Sequence, residues 1–438
     1  MKKSKRFMAL ALTGAMAMSL AACGGGSSDS NSGGNSSAGG SDVIEVKIWD
    51  NTQLKGLQEI ADLWTEQSGI KVNIQVVTWD DYWTLLEAGA SGGEMPDVFW
   101  MHSNNVQMYM EADKLLDLTD YISKSEVTDL SNYYEGITTL YSMDGKQYAV
   151  PKDHDTIALL YNKAIFDKAG VAYPTDDWTW DDYYEAGKKI TEAGNGEYYG
   201  AAMNTSNDQD GYWNIIYDYG GCVITEDHKK SGWDDPNTKK AFEFIGKLCK
   251  DVFCPQTMVA ENGTDGLFNN QMAGMITQGS WMINSFYQDD HRDQYGWALL
   301  PYYDANGNGQ ADEGERCTMY NGLGWAASSD TKNPDACWSL IEWFTSKEMQ
   351  LKQAELGVTM AGYKGCSDAF ANAFEGMDIS AFLRMEEEGT LVFRPYSKYT
   401  SRWNTYQPAL VEVWNDPSTA DKVLDALAAE MNEALANE

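Results

Sequence analysis

The chain has 438 residues, which at roughly 100–200 residues per domain predicts two to four folding units. Its 66 acidic residues outnumber its 32 basic residues, so the net charge is −34 and the field repels nucleic-acid phosphates and anionic lipid headgroups. Nucleic acid is therefore not expected as a partner. Aromatic residues make up 12% of the chain, more than a core usually requires, so some are expected to contact a ligand.

Residues 1–22 predict an export signal. Four basic residues among the first six precede an apolar stretch over residues 7–20 that is too short to span a bilayer. The segment Leu20-Ala21-Ala22-Cys23 resembles the lipobox of bacterial lipoproteins, which implies that Cys23 is lipidated and becomes the new N-terminus. The alternative is an ordinary signal peptide in which Cys23 is incidental. Residues 23–41 are then the lipidated cysteine and a flexible Gly/Ser tether.

Six cysteines follow the tether, with no Cys-x-x-Cys spacing and no cluster with histidine. A zinc site is therefore not expected. Cys249 and Cys254 are close enough in sequence to form a local disulfide in an oxidising environment, and equally suited to remain thiols. The sequence leaves both possibilities open.

The elements after the tether begin with strands and helices in alternation. Residues 43–49 alternate with Ile44, Val46 and Ile48 on one face, residues 54–64 have helical spacing, and residues 70–76 alternate again. A short helix and a buried strand over residues 97–101 follow. This β-α-β-α-β order predicts the start of an open parallel sheet with helices on both faces.

Further along the chain, the polar segment Lys152-Asp153-His154-Asp155 joins two extended segments at residues 148–151 and 157–161. No repeat with a period of 20–50 residues is present, which excludes solenoids and propellers. Helices are predicted at residues 162–169, 181–190, 239–250, 334–345 and 421–437.

Several short segments occur in an order typical of one protein family. They are Tyr161-Asn162-Lys163, Trp180-Asp181-Asp182, Gly279-Ser280-Trp281 at a strand end, and Gly322-Leu323-Gly324-Trp325-Ala326 before Pro334-Asp335-Ala336-Cys337-Trp338. With the β-α-β-α-β opening, they resemble the family 1 extracellular solute-binding proteins of ABC sugar importers, the group that includes maltose-binding protein. The resemblance covers nearly the whole chain after the tether.

This resemblance implies an α/β fold of the periplasmic-binding-protein type, with two lobes joined by hinge crossings. Each lobe is expected to hold an open, mostly parallel sheet flanked by helices. Lobe one is expected at residues 42–153 and 298–347, and lobe two at residues 154–297 and 348–438. The crossings are expected near residues 152–156, 297–301 and 346–349.

The strand ends of lobe one supply candidate ligand residues, because open parallel sheets bind ligands beyond the carboxyl ends of their strands. Each of three ends carries a Trp beside a polar side chain. A sugar needs both, since an aromatic ring stacks on its C–H face while carboxylates and amides bond its hydroxyls. Alternatively, the Trp rings are core residues and the polar groups cap helices. The predicted ligand residues here are Asp50, Asn51, Trp79, Trp100, Ser103 and Asn104.

For lobe two, the resemblance implies a stacking aromatic at Trp281 and another at Tyr212 or Trp213. An aromatic from a later polar segment, Trp403 or Tyr406, is expected to complete the cleft. Asp153 and His154 at the first crossing are also candidate ligand contacts, with a solvated hinge as the alternative.

The predicted function is capture of a sugar or oligosaccharide between two closing lobes and delivery to the permease subunits of an ABC importer. An enzyme is not expected, because Gly-x-Ser-x-Gly, His-Glu-x-x-His and P-loop motifs are all missing. The alternatives are a cell-surface glycoside hydrolase, with two carboxylates across a cleft, and a binder of peptides, iron or polyamines. The protein is expected to be a monomer, held to the extracellular face of the cell membrane by its lipid anchor alone or located in the periplasm.

Residues 304–315 fit the pattern D-x-[DN]-x-[DN]-G-x5-E at every position and resemble the calcium loop of EF-hands and dockerins. Gly309 allows the sharp turn at position 6. The alternative is an Asn/Gly-rich turn with solvated acids. We expect a structural calcium ion here, and its predicted ligands are Asp304, Asn306, Asn308, the backbone carbonyl of Gln310, Asp312 and Glu315.

Overall fold

The computed structural model describes residues 43–204, 209–397 and 407–437. Several predicted features lie outside these residues, namely the export signal, Cys23 with its tether, and the candidate ligand residues Trp403 and Tyr406. Among the helices that the structure describes, none is long and apolar enough to cross a bilayer.

The described strands form two main sheets and two short pairs. In chain order they are β1 (Val43–Ile48), β2 (Lys71–Val76), β3 (Val98–Met101), β4 (Ser142–Met143), β5 (Lys146–Gln147), β6 (Ala149–Pro151), β7 (Ile157–Asn162), β8 (Tyr199–Ala201), β9 (Ala273–Gly279), β10 (Tyr295–Ala298), β11 (Cys317–Tyr320), β12 (Gly324–Ala327) and β13 (Thr390–Phe393). The sheet of lobe one has the order β2-β1-β3-β12-β6, and the sheet of lobe two has the order β10-β7-β9-β8.

Helices cover the faces of both sheets. In chain order they are α1 (Asn51–Ser68), α2 (Trp79–Gly92), α3 (Val106–Glu111), α4 (Thr119–Lys124), α5 (Glu135–Leu140), α6 (Lys163–Ala169), α7 (Trp180–Gly194), α8 (Tyr212–Asp218), α9 (Pro236–Asp251), α10 (Gln256–Asn269), α11 (Ile283–Tyr287), α12 (Pro334–Thr345), α13 (Lys347–Glu355), α14 (Asp368–Ala371), α15 (Ser380–Glu388), α16 (Gln407–Asn415) and α17 (Ala420–Leu435). The predicted opening, β1-α1-β2-α2-β3, is therefore present.

The expected open, mostly parallel sheets are present, and each contains one strand that runs against the others. In lobe one, β1 pairs in parallel with β2 and β3, but β12 enters antiparallel to β3 and β6. In lobe two, β7 runs antiparallel to both β9 and β10, and β8 is parallel to β9. The antiparallel strands arise where the chain crosses from one lobe to the other, because a crossing strand enters the sheet without the helical connection that a parallel neighbour requires.

A small parallel sheet of β11 and β13 lies between the two lobes. Successive side chains of a strand point to opposite faces, and here the two faces meet different cores. Met319 packs into the core of lobe two, whereas its neighbour Tyr320 packs into that of lobe one. In β13, Val392 packs against the core of lobe two, and its neighbour Leu391 packs against that of lobe one. We call this pair of strands the hinge sheet.

The second crossing lies later in the chain than predicted. Leu299 and Leu300 are buried in the core of lobe two, so the chain stays with that lobe after β10. The following segment is fixed there by Tyr303, whose ring stacks on Tyr219 at 3.9 Å between ring centres. The crossing therefore occurs at residues 321–323, between β11 and β12, rather than near residues 297–301.

Candidate functional site: a cleft between the lobes

A cleft of about 680 Å³ is lined by residues of both lobes and of the crossings. This volume lies within the range of small-molecule sites, about 300–1,000 Å³. Lobe one contributes Trp49, Asp50, Gln53, Trp79, Asp80, Trp83, His102, Asn104 and Asn105, lobe two contributes Asn204, Gln209, Trp281 and Arg394, and the crossings contribute Asp153, Asp155, Asn321 and Leu323.

Three Trp side chains form an aromatic wall on the side of lobe one. Trp49 follows the first strand, and its ring meets that of Trp79 edge to face at 5.1 Å between ring centres. Trp79 begins α2 and meets Trp83, one turn later, at 5.4 Å and 81°. Trp79 is 41% exposed, so its ring is accessible to a ligand.

Trp281 lines the cleft from lobe two, in a short 3-10 turn after β9. Its ring lies against Gly279, so closely that a methyl group at position 279 would overlap the six-membered part of the ring. Glycine is required at this position because the ring occupies the space of a side chain.

Two of the carboxylates that line the cleft are occupied by bonds within the protein. Asp50 caps α1, and its Oδ1 accepts hydrogen bonds of 2.7 Å from the backbone N–H and the hydroxyl of Thr52. Asp153 forms a buried ion pair with Lys152 at 2.5 Å and accepts a 2.7 Å bond from the backbone N–H of Leu323. Both side chains therefore fix the walls of the cleft.

Two further titratable groups that line the cleft, Asp155 and His102, favour their neutral forms. Burial, and then the charge of Asp153, raises the pKa of Asp155, whose Oδ1 accepts a 2.8 Å bond from Ser280. Burial, and then the charge of Arg394, lowers the pKa of His102. Because a protonated carboxyl and an unprotonated imidazole carry no charge, this part of the cleft suits a neutral ligand.

Two polar atoms on the lobe-one side of the cleft are buried and have no hydrogen-bond partner among the described residues. They are Nε1 of Trp83, a donor, and Oδ1 of Asn104, an acceptor. An unpaired buried polar atom costs about 1–3 kcal/mol, so each is expected to gain from a ligand that supplies its partner. A ligand with hydroxyl groups offers both a donor and an acceptor.

Comparison with known proteins identifies the family. A model of the bacterial extracellular solute-binding proteins matches residues 49–351. The chain belongs to this family. The resemblance read from the short sequence segments is therefore confirmed. Because the matching proteins are binding proteins, the prediction that the chain is not an enzyme is also confirmed.

Individual relatives of this solute-binding protein are similar over most of its length. The maltotriose-binding protein of Pyrococcus abyssi is 26% identical over 387 residues, covering 86% of this chain and 79% of that protein. The galactooligosaccharide-binding protein of Bacillus subtilis is 24% identical over 360 residues, covering 80% and 78%. A solved ABC substrate-binding protein from Listeria monocytogenes, in complex with cycloalternan, has a TM-score of 0.78 at 23% identity and covers 90% of this chain and 99% of its own. That likeness shows the two-lobed α/β fold.

Three aromatic predictions are wrong, because the solute-binding protein buries these side chains in its cores. Trp100 is fully buried between Trp49 and Trp325, one residue before the end of its strand. Tyr212 and Trp213 begin α8 but turn inward, and are only 1% and 4% exposed. None of the three lines the cleft.

Three polar predictions also need correction. Asn51 is exposed in the first turn of α1 and does not line the cleft. Ser103 is buried and donates a 3.0 Å bond to Oδ1 of Asn321, so it supports a cleft residue from behind. His154 is buried behind the cleft, where it bonds Ala361 and Glu386. The predictions at Asp50, Trp79, Asn104, Asp153 and Trp281 fall on residues that line the cleft.

Sequence reasoning missed several residues of the cleft. Trp83 lies four positions after Trp79, so helical spacing alone places both on one face of α2. Arg394 gives no such signal, because it reaches the cleft only through the pairing of β13 with β11, and its guanidinium lies 5.0 Å from the ring centre of Trp213. Asn321 and Gln209, which share a 3.2 Å bond, are likewise joined only by the fold.

The loop at residues 304–315 is mostly exposed, apart from the buried Glu315, and is folded by its own polar side chains. Both carboxylate oxygens of Asp304 accept bonds from backbone amides, those of Gly307, Asn308 and Gly309. Asp312 accepts bonds from the side-chain amides of Asn306 and Asn308, at 2.7 and 2.9 Å. Within the described part of the chain, no three His, Cys, Asp or Glu side chains are grouped to hold a metal ion. The calcium prediction therefore stays a prediction.

The six cysteines that follow the tether are all thiols in this structure. Burial raises the pKa of Cys249 and that of Cys254 to about 12, so both stay protonated and unreactive near neutral pH.

Proposed function

We propose that this solute-binding protein captures a sugar or oligosaccharide in the cleft and that its lobes close around it. The observation that carries the proposal is the placing of Trp79 on lobe one and Trp281 on lobe two along one cleft. Aromatic rings from both lobes stack on the C–H faces of sugar rings, and a ligand that touches both lobes favours their closed arrangement. The names of the relatives, which bind maltotriose and galactooligosaccharides, support this ligand class.

A neutral sugar fits the cleft better than a polyamine does. A polyamine needs several free carboxylates. Of the four that line the cleft, Asp50 is engaged in a helix cap, Asp153 in an ion pair, and Asp155 favours its protonated form, which leaves Asp80. The unpaired donor of Trp83 and acceptor of Asn104 suit hydroxyl groups instead.

Calorimetry with a panel of neutral mono- and oligosaccharides, with spermidine and a peptide mixture as controls, tests the proposal. We expect at least one saccharide to bind and X-ray scattering to show a smaller radius of gyration in its presence. Binding of spermidine alone, or sustained hydrolysis of a bound saccharide, would contradict the proposal.

We further propose that the protein is exported, lipidated at Cys23 and held by its Gly/Ser tether at the extracellular face of the membrane, or in the periplasm, as a monomer. There it delivers the sugar to the permease subunits of an ABC importer. The sequence segment Leu20-Ala21-Ala22-Cys23 supports this part. Mass spectrometry of the mature N-terminus is expected to show an acylated cysteine, and Cys23→Ala is expected to release the protein from membranes. A Cys23→Ala protein that stays with the membrane would contradict the anchor.

Finally, we propose that residues 304–315 bind calcium. All six expected ligand positions carry oxygen donors, which are the donors that Ca²⁺ prefers. Chelation is expected to lower the melting temperature, and Glu315→Gln to remove this response without loss of sugar binding. Glu313→Gln, which changes a neighbouring acid outside the ligand positions, is the matched control. A melting temperature that is indifferent to millimolar calcium would contradict the proposal.

A further inference from the structure

His154 lies at the first crossing, enclosed by aromatic residues from both sides of the hinge. Its ring stacks on Tyr320 of the hinge sheet, at 5.3 Å between centres and 22°. It also meets the ring of Tyr134, which precedes α5 of lobe one, at 5.7 Å. The imidazole is 1% exposed, so each of its polar atoms needs a partner within the protein.

The hydrogen bonds of His154 determine where its protons are. Its Nδ1 lies 2.6 Å from the carbonyl oxygen of Ala361, and a carbonyl only accepts, so Nδ1 carries a proton. In a neutral imidazole, Nε2 then holds a lone pair. Nε2 lies 3.0 Å from Oε2 of Glu386, which as a carboxylate oxygen also only accepts. A bond between these two atoms therefore requires one additional proton, held by either partner.

Glu386 links the two lobes. It belongs to α15, which packs on β7 and β10 of lobe two, and its Oε1 accepts a hydrogen bond from the hydroxyl of Tyr134 of lobe one. The Glu386 side chain is 14% exposed. One carboxyl group thus joins lobe two, the crossing and lobe one.

Charged groups around the pair come from three elements. Burial, and then the charge of Glu387 on the same helix, raises the pKa of Glu386 to about 7. Burial lowers the pKa of His154 to about 4, although its bond to Ala361 and the charge of Asp153 oppose this. A cation, Lys364, lies 5.3 Å from the ring centre of Tyr134. Between these two pH values, one proton lies between Nε2 of His154 and Oε2 of Glu386 and is shared across their 3.0 Å bond.

We propose that the proton shared by Glu386 and His154 is a pH-sensitive latch on the hinge. When present, it holds the Glu386 carboxyl group against His154 and within reach of Tyr134, and its loss loosens the ligand-free lobes. After deprotonation, a buried carboxylate faces the lone pair of His154. Both the repulsion and the cost of burying the charge favour turning Glu386 into water. Alkaline pH then shifts the ligand-free protein toward a more open form. The inference rests on the proposed function, because it concerns the closing of the lobes.

X-ray scattering of the ligand-free protein from about pH 5 to about pH 9 tests the latch, since this range brackets the pKa of Glu386. We expect the radius of gyration to increase with a midpoint near pH 7. Glu386→Gln is expected to remove the transition and to stay compact, because its amide donates to Nε2 of His154 while its carbonyl accepts from Tyr134. Glu387→Gln, the matched control, removes the neighbouring charge and is expected to keep the transition at a lower pH. A radius that does not change with pH in the natural protein, or changes equally in Glu386→Gln, would overturn the latch.

Nitrogen-15 spectra of histidine-labelled protein give a second measurement, with four histidines to assign and His154→Gln to identify its signal. We expect Nδ1 of His154 to stay protonated across the range, and its Nε2 signal to shift with the midpoint of the scattering transition in the natural protein but not in Glu386→Gln. An Nε2 chemical shift that does not change with pH would contradict the proposal that Glu386 and His154 share a proton. Neither experiment uses a sugar. If no saccharide of the panel binds, the proposed function is contradicted, whereas the latch is tested by the two titrations alone.

Discussion

The indole ring of Trp281 lies over the α-carbon of Gly279, two residues earlier in the chain. This contact explains the Gly-x-Trp spacing physically. β9 ends at Gly279, the 3-10 turn brings the chain back, and the ring reaches the cleft only because position 279 has no side chain. The glycine is therefore a positioning residue for the aromatic face of lobe two.

Gly279→Ala is expected to displace the Trp281 ring and to weaken sugar binding by about 1–3 kcal/mol, the range for losing a buried aromatic anchor. Calorimetry with the saccharide found in the glycan panel measures this loss. Gly266→Ala in α10 is the control, because a methyl group there makes only an ordinary contact at 3.8 Å. Unchanged affinity in Gly279→Ala would show that the ring position does not matter for binding.

Trp281→Ala and Trp100→Ala are expected to separate binding from stability. Trp281 faces the cleft, so its loss should weaken binding by about 1–3 kcal/mol with little effect on unfolding. Trp100 is fully buried, so its loss should lower the free energy of unfolding by about 3–5 kcal/mol. Denaturant melts and calorimetry on both variants check the contrast. If Trp100→Ala keeps the free energy of unfolding of the natural protein but no longer binds the saccharide, then the Trp100 ring contacts the ligand.

The buried pair Lys152 and Asp153 is expected to fix the first crossing. Nζ of Lys152 also bonds Oε1 of Gln53 at 2.8 Å and lies 4.5 Å from the ring centre of Trp100. Asp153→Ala leaves a buried cation without its partner, which should lower the free energy of unfolding by about 3–5 kcal/mol. The double variant with Lys152→Met should recover much of this loss, because no buried charge remains. A double variant that is no more stable than Asp153→Ala would argue against the uncompensated charge as the cause.

The sequence predicted those parts of the fold that depend on local pattern. The alternation of Ile44, Val46 and Ile48 gave β1, and Pro334 at the first turn gave α12 with both ends correct. The prediction that Trp100 contacts the ligand is wrong for a physical reason. A strand covered on both faces is apolar throughout, so the sequence does not show which of its residues lie in the core and which face the cleft. Arg394 and Asn321 could not be predicted, since each reaches the cleft through pairings between segments far apart in the chain.

Asp155→Asn is expected to stabilise the protein at neutral pH. The pKa of Asp155 is raised in the folded state by burial and by Asp153, so folding favours its protonated form. The direction of the pH dependence follows from the linkage between proton binding and folding. Near pH 4 the unfolded chain releases the Asp155 proton, while the folded protein still holds it. The free energy of unfolding of the natural protein therefore falls as the pH rises above that value. Asparagine carries no charge and still accepts the bond from Ser280 through its amide oxygen. Denaturant melts at about pH 4 and pH 7 should therefore show a small difference between variant and natural protein at the lower pH and a larger gain for the variant at the higher pH. An equal difference at both values would mean that Asp155 is ionised in the folded protein, and that the base of the cleft carries a charge to which a cationic ligand could bind.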